Sequence, residues 1–278
     1  MAFRDVAGRV TLVTGAARGI GRAIAEAFVA EGAPVALCDI DTDGVLEAAE
    51  ALGQKGTRVG AWALDVTDPD AFEEVVQRVE HDLGPIDVLV NNAGIMPLGS
   101  FHELSLATDH KQVDVNLFGV VHGMRAVLPR MAHRRRGHVV NIASGAGKVG
   151  IPHAAMYCAT KHAVVGLTEA VRAEWLDQGI DFSYVMPLLV DTELISGAGR
   201  LRLFPLVTCE DVADATLGAV RKGQVDVFVP RSARIAQVLP ALLPRPVYER
   251  LGRLFHLDRI FANLDHGARA AYHARALG

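Results

Sequence analysis

The chain has 278 residues, half of them hydrophobic and 22% charged, a composition that excludes intrinsic disorder. Its 28 Lys+Arg against 32 Asp+Glu leave a net charge of −4, which argues against a dedicated nucleic-acid binder. Cys38, Cys158 and Cys209 are an odd, widely spaced set with no CxxC pair, so neither a disulfide framework nor a metal site is expected. No apolar run approaches the roughly 18 residues of a membrane span. The opening MAFRDVAGRVTLVTG lacks the apolar core of a signal peptide. A soluble, cytoplasmic protein is the expectation.

Short apolar runs alternate with segments of helical period along the chain. Val10–Thr14, Pro34–Asp39, Val59–Asp65, Ile86–Asn91, His138–Ser144, Phe182–Met186 and Val225–Val229 read as strands. The first, fourth and fifth are nearly continuous Val, Ile and Leu, as parallel strands buried on both faces require. Helical patterns cover Gly19–Glu31, Thr42–Leu52, Pro69–Leu83, Leu104–Arg130, Ala154–Asp177 and Glu210–Arg221. This alternation predicts an α/β, Rossmann-type doubly wound sheet of seven parallel strands with helices on both faces. One domain, residues 1–230, accounts for it.

From Arg231 the character changes. The last 48 residues carry eight arginines against three acids. Ile235, Val238, Leu239, Leu242 and Leu243 share one helical face, and Val247, Tyr248, Leu251, Leu254 and Phe255 repeat the pattern. Pro240, Pro244 and Pro246 divide it into short helices. Residues 231–278 therefore read as an Arg-rich helical extension packed on the same domain. It is either a lid over a lipophilic pocket, with peripheral contact to anionic membranes, or plain packing with solvated arginines.

Directly after the first strand comes Thr14-Gly15-Ala16-Ala17-Arg18-Gly19-Ile20-Gly21, opening a helix. Glycines there let the backbone approach a diphosphate, and a helix N-terminus offers unpaired N–H groups to it. Asp39 ends the second strand about 20 residues on, where a carboxylate accepts the adenosine ribose hydroxyls and repels a 2′-phosphate. NAD is thus expected over NADP, although Arg18 could pair with that phosphate. Further along, Tyr157 and Lys161 stand four residues apart in a helical segment, on one face. An ammonium beside a phenol favours phenolate, which would make Tyr157 a usable proton acceptor or donor. Ser144, at the end of the preceding strand, supplies a hydroxyl for a substrate oxygen; a turn or helix-cap serine is the alternative.

Taken together, TGAARGIG, Asn91-Asn92-Ala93-Gly94, Asn116 within VDVNLFG, Ser144 and YCATK resemble the short-chain dehydrogenase/reductase family in its compact single-domain branch. The likeness spans about residues 5–230. It implies Tyr157 as general acid/base, Ser144 orienting the reacting oxygen, and Lys161 binding the nicotinamide ribose while lowering the tyrosine pKa. Asn116 would hold a relay water, or be no more than a polar residue at a helix kink. Asn92, Ala93 and Gly94 would pack on the cofactor. Asp65, followed by Val66, resembles the adenine-contacting acid, with helix capping as its other reading. Pro187, Val190 and Thr192 keep the family's places for the carboxamide, while Leu188 stands where the family usually has glycine.

Met96, Leu98, His153, Met156, Leu188 and the segment from Leu194 to Phe204 are expected to line the substrate side, with Arg200 and Arg202 its only charges; plain core packing is the alternative for the same residues. The resulting expectation is an NAD(P)-dependent enzyme interconverting a hydrophobic secondary alcohol and its ketone. A non-catalytic NAD-sensing module that regulates a partner is the alternative. The family's long helices imply a homodimer or homotetramer.

Overall fold

The computed structural model describes residues 5–53, 56–195, 206–235, 243–254, 261 and 266–277. Seven parallel strands form one sheet in the order β3-β2-β1-β4-β5-β6-β7. They are β1 (Val10–Thr14), β2 (Val35–Asp39), β3 (Val59–Ala63), β4 (Ile86–Asn91), β5 (Gly137–Ile142), β6 (Ile180–Pro187) and β7 (Asp226–Val229). Every residue of β1, β4 and β5 is buried, which is why these strands lack polar alternation. The chain order reverses between β1 and β4, so a crevice opens there at the carboxyl ends of the strands.

One face is covered by α1 (Gly19–Ala30), α2 (Thr42–Gly53) and α7 (Cys209–Lys222), packing Ile24, Phe28, Val45, Leu52, Val212 and Val220 against the sheet. The other carries α3 (Pro69–Asp82), α4 (Leu106–Val113), α5 (Gly119–Arg134) and α6 (Ala155–Glu174), burying Phe72, Met124, Met131, Val164 and Phe182. The helix expected over Leu104–Arg130 is interrupted: Asp114–Phe118 makes a π-turn, and α5 then runs on to Arg134. Such an inserted residue re-aims side chains within a helix. Asp68 starts α3 by accepting the N–H groups of Asp70 and Ala71. Asp65 is therefore not a helix cap. It closes a local turn by accepting the Thr67 N–H and hydroxyl, at 2.9 and 2.8 Å.

Beyond β7, helices cover Arg245–Leu254 and His266–Leu277. Pro246 lies in the first turn of the former, where its missing N–H costs no helical bond, so it opens a helix instead of breaking one. Val238, Leu239, Pro240, Leu242, Arg200 and Arg202 fall outside the described residues. No described helix is long and apolar enough to cross a membrane.

Candidate active site

The glycine turn and α1 face the crevice beside β4. A Cβ on Gly21 would sit 2.1 Å from the Gly15 carbonyl oxygen and 2.5 Å from Asn92 Nδ2, and one on Gly15 would meet Ala93 Cα at 2.9 Å. Three backbones therefore converge where only glycine fits. Asn92 ties them together: its Nδ2 donates to the carbonyls of Thr14 and Gly15 at 2.9 and 3.0 Å. Thr14 answers by accepting the N–H groups of Asn92 and Ala93 on its hydroxyl. This role of Thr14 was not foreseen from the sequence, where it reads as the last residue of a buried strand. Arg18 holds the N-cap position of α1 in extended conformation, and its side chain makes no cap hydrogen bond. The first turn of α1 thus keeps N–H groups for an anion. Gly19 stands opposite Thr192, whose Cγ2 would lie 3.9 Å from an added Cβ, so the loop after β6 overhangs the turn.

Asp39 closes the far side of this cradle. Its carboxylate accepts the N–H groups of Ala17 at 2.9 Å and Asp41 at 3.0 Å. Arg18 is paired with Asp41. The Asp41 carboxyl is held below its ordinary range by the Gly44 N–H, despite some burial, and further by Arg18. Val66 is buried and packs where Gly119 begins α5, while Asp65 is exposed. A glycine cradle at an open helix start, with an acid at the end of β2, fits a dinucleotide: the turn would hold the diphosphate and Asp39 the ribose.

At the centre of the crevice, Tyr157 and Lys161 lie on one face of α6, with Lys161 Nζ 5.7 Å from the Tyr157 ring centre. Lys161 is 5% exposed and donates to the Ile142 carbonyl at 2.8 Å. Ser144 accepts the Ala146 N–H at 3.1 Å and so caps the short Gly145–Gly147 turn, with its hydroxyl near enough to the Tyr157 phenol to lower its pKa. The expectation that the ammonium makes this phenol acidic is corrected here. Burial dominates and pushes Tyr157 up to about 12, with the neighbouring Ser144 hydroxyl pulling the other way. Burial likewise lowers Lys161 to about 8. Desolvation penalises each charged form, and at this separation the pair does not offset it.

Asn116 sits in the π-turn, fully buried. Its Oδ1 accepts the Ile95 N–H at 2.7 Å, and its Nδ2 donates to the Ile95 carbonyl at 2.8 Å and to Thr160 Oγ1 at 3.2 Å. The amide thus pins the loop segment that follows Gly94. A Cβ on Gly94 would lie 3.2 Å from Asn116 Oδ1 and 3.7 Å from Lys161 Nζ, so these groups share one corner of the crevice. Behind them Asn91 Nδ2 donates to Asn141 Oδ1, and Asn141 Nδ2 to Thr168 Oγ1, each at 2.8 Å, linking β4, β5 and α6.

The remaining wall is apolar. Met96, Leu98, Ala146, Ala154, Cys158 and Phe261 form a buried cluster against which Ile151, Tyr157, Leu189 and Leu194 pack. Met156 and Leu188 are half-buried nearby in sequence. Leu188 needs no left-handed backbone, since among the described residues the positive-φ non-glycine residues are Arg135 and His153. Its N–H joins the sheet by donating to Val229 at 2.9 Å. Pro187 ends β6, and Val190 bridges Val207. His153, at φ 65°, turns the chain into α6 and accepts the Gly99 N–H on its carbonyl. Phe261 comes from the tail, where no expectation had placed a site residue. Among the described residues, no group of three His, Cys, Asp or Glu side chains is placed to hold a metal ion.

Comparison with known proteins agrees with this geometry. The family model for short chain dehydrogenase matches residues 9–200. Sorbitol dehydrogenase of Cereibacter sphaeroides is 40% identical over 188 residues, 67% of this chain and 72% of that protein. The 17-beta-hydroxysteroid dehydrogenase 13 of Rattus norvegicus is 31% identical over 259 residues, 92% of this chain and 86% of its own. Among solved structures, a short chain dehydrogenase/reductase from Burkholderia phymatum in complex with NAD has a TM-score of 0.79 at 26% identity, covering 86% of this chain and 94% of that one. With the sheet order, the glycine cradle and the Tyr157–Lys161 pair, these matches establish that the chain belongs to the short-chain dehydrogenase family of NAD(P)-dependent oxidoreductases.

Proposed function

We propose that the protein interconverts a hydrophobic secondary alcohol and its ketone, with NAD as the preferred cofactor. The observation that carries the reading is the Tyr157 phenol near Ser144 and Lys161, packed against an apolar cluster on the same side of the molecule as the glycine cradle. Bound nicotinamide supplies or accepts the hydride. Tyr157, protonated at neutral pH, donates its proton to the carbonyl oxygen as that oxygen gains charge, and takes it back in the oxidative direction. Ser144 steadies the same oxygen and the transient phenolate. Lys161, anchored on Ile142, holds the ribose side of the cofactor. Asn116 fixes the loop at Ile95 near Lys161 and keeps that corner polar.

The preference for NAD rests on Asp39 at the ribose position and on Arg18, whose guanidinium is engaged by Asp41 instead of facing a 2′-phosphate. The preference for an apolar substrate rests on Met96, Leu98, Ile151, Leu189 and Leu194. A polyol would leave several hydroxyls without partners against that wall, which binding does not tolerate cheaply. The catalytic unit is residues 1–230, with 231–278 an extension on its substrate side. The cytoplasm is the location we favour, consistent with free thiols at Cys38, Cys158 and Cys209. A homodimer is the favoured assembly, because Leu106 and Phe118 remain exposed along the α4–α5 stretch. The test is Tyr157→Phe: turnover of a secondary-alcohol panel with NAD should fall by about 10²–10⁴-fold, while the NADH dissociation constant changes little. Retained turnover would refute the reading.

A further inference from the structure

Arg269 heads the fully buried side chains of the described residues, although it belongs to an extension whose composition suggests solvated arginines. One guanidinium nitrogen donates to the Leu194 carbonyl at 2.7 Å and another to the Met96 carbonyl at 2.8 Å. Its guanidinium lies 5.0 Å from the ring centre of Tyr272, one turn further along the same helix. The Tyr272 hydroxyl in turn accepts the Met96 N–H at 2.6 Å. A single helical turn therefore holds both backbone polar groups of Met96 and also the loop after β6. Outside this grip Arg275 pairs with Glu193, and Phe261 enters the apolar cluster that contacts Tyr157.

A buried guanidinium is strongly destabilising unless its N–H groups are matched, and an apolar residue would fill the same space at less cost. Here the charge is spent on fixing two segments, Met96 and Leu194, that flank Tyr157. Two Arg269 nitrogens are committed to the Leu194 and Met96 carbonyls. We propose that the carboxy-terminal extension completes the substrate pocket of its own chain. Arg269 and Tyr272 are positioning residues that set the spacing of the Met96 and Leu194 walls, and Phe261 is the side chain that limits substrate bulk. The pocket then selects among uncharged, apolar secondary alcohols by shape. This rests on the alcohol–ketone reading for what the pocket accepts, and on geometry alone for the clasp.

The test uses the full chain and two variants, Tyr272→Phe and Phe261→Ala, with 2-butanol and 2-octanol as small and bulky alcohols. Tyr272→Phe keeps the ring and the stack on Arg269 but removes the acceptor for Met96. Its KM for 2-octanol should rise about fivefold, more than kcat falls, and the Met96 amide should exchange with deuterium about fivefold faster, as the loss of one hydrogen bond implies. Phe261→Ala should shift the ratio of kcat/KM for 2-octanol over 2-butanol by about fivefold towards the bulkier alcohol, with NADH affinity within twofold of wild type. Should Phe261→Ala fail to fold, Phe261→Leu serves with a smaller shift in the same direction. Selectivity unchanged in both variants, or Met96 exchange unchanged in Tyr272→Phe, overturns the proposal. A wild-type chain that binds NADH yet turns over neither alcohol would refute the proposed function, and the exchange comparison would still decide the clasp.

Discussion

Replacing Gly21 with alanine tests how tightly the glycine turn, Asn92 and α1 are interlocked. The new methyl would lie 2.1 Å from the Gly15 carbonyl oxygen, 2.8 Å from its carbon and 2.5 Å from Asn92 Nδ2. None of these is the far end of a flexible side chain that can swing clear at no loss. Relief requires the turn to shift by about an ångström, at a cost of roughly 1–3 kcal/mol for overpacking. Displacing Asn92 adds about 1 kcal/mol for each of its two bonds to Thr14 and Gly15. Borne by the cofactor-binding conformation, even 1.4 kcal/mol is about tenfold in affinity. The NADH dissociation constant, read by fluorescence titration, should therefore rise tenfold or more, and the melting temperature should fall by several degrees. Gly166→Ala is the control: nothing lies within 4 Å of its added methyl, in the middle of α6, so it should leave binding alone and slightly raise stability. A Gly21→Ala protein with wild-type affinity and melting temperature would refute the reasoning, because the contact distances leave no other outcome.

Asp39→Ser removes the carboxylate while leaving the Arg18–Asp41 pair in place; the ratio of kcat/KM for NAD over NADP should drop about tenfold, measured by parallel absorbance assays. If Asp39 has no part in cofactor choice, the ratio stays put. Lys161 gives a pH signature. Its folded value is about 8 against an ordinary 10.5, so between those two the unfolded chain binds the extra proton and stability rises with pH. Lys161→Met lacks this contribution. The stability of wild type relative to Lys161→Met should therefore rise by roughly 3 kcal/mol at most from below pH 8 to above pH 10. Tyr157 acts in the opposite sense at higher pH: with a folded value of about 12, its contribution falls as pH rises above 10. Denaturant titrations of wild type and Lys161→Met at pH 7.5, 9 and 10 check the Lys161 sign, and a flat difference would show that Lys161 is not desolvated.

The strands and most helices were legible because their signals are local. Val10–Thr14 and Ile86–Asn91 have the same bounds in sequence and structure, since a doubly buried strand is a plain apolar run. The Tyr157–Lys161 pairing needs only the helical repeat, and the glycine turn only its place after the first strand. The order of motifs in a single chain sufficed to identify the family. Other features arise from groups far apart in sequence. The π-turn that aims Asn116 follows from its bonds to Ile95 and Thr160. Thr14 acquired its part through Asn92, 78 residues away. Arg269 and Tyr272 reach Met96 across more than 170 residues, so no period or spacing could announce them. The sign of the Tyr157 shift belongs to the same class. Residue types supply a phenol and an ammonium, but the burial that the folded surroundings impose on them decides which protonation state is favoured.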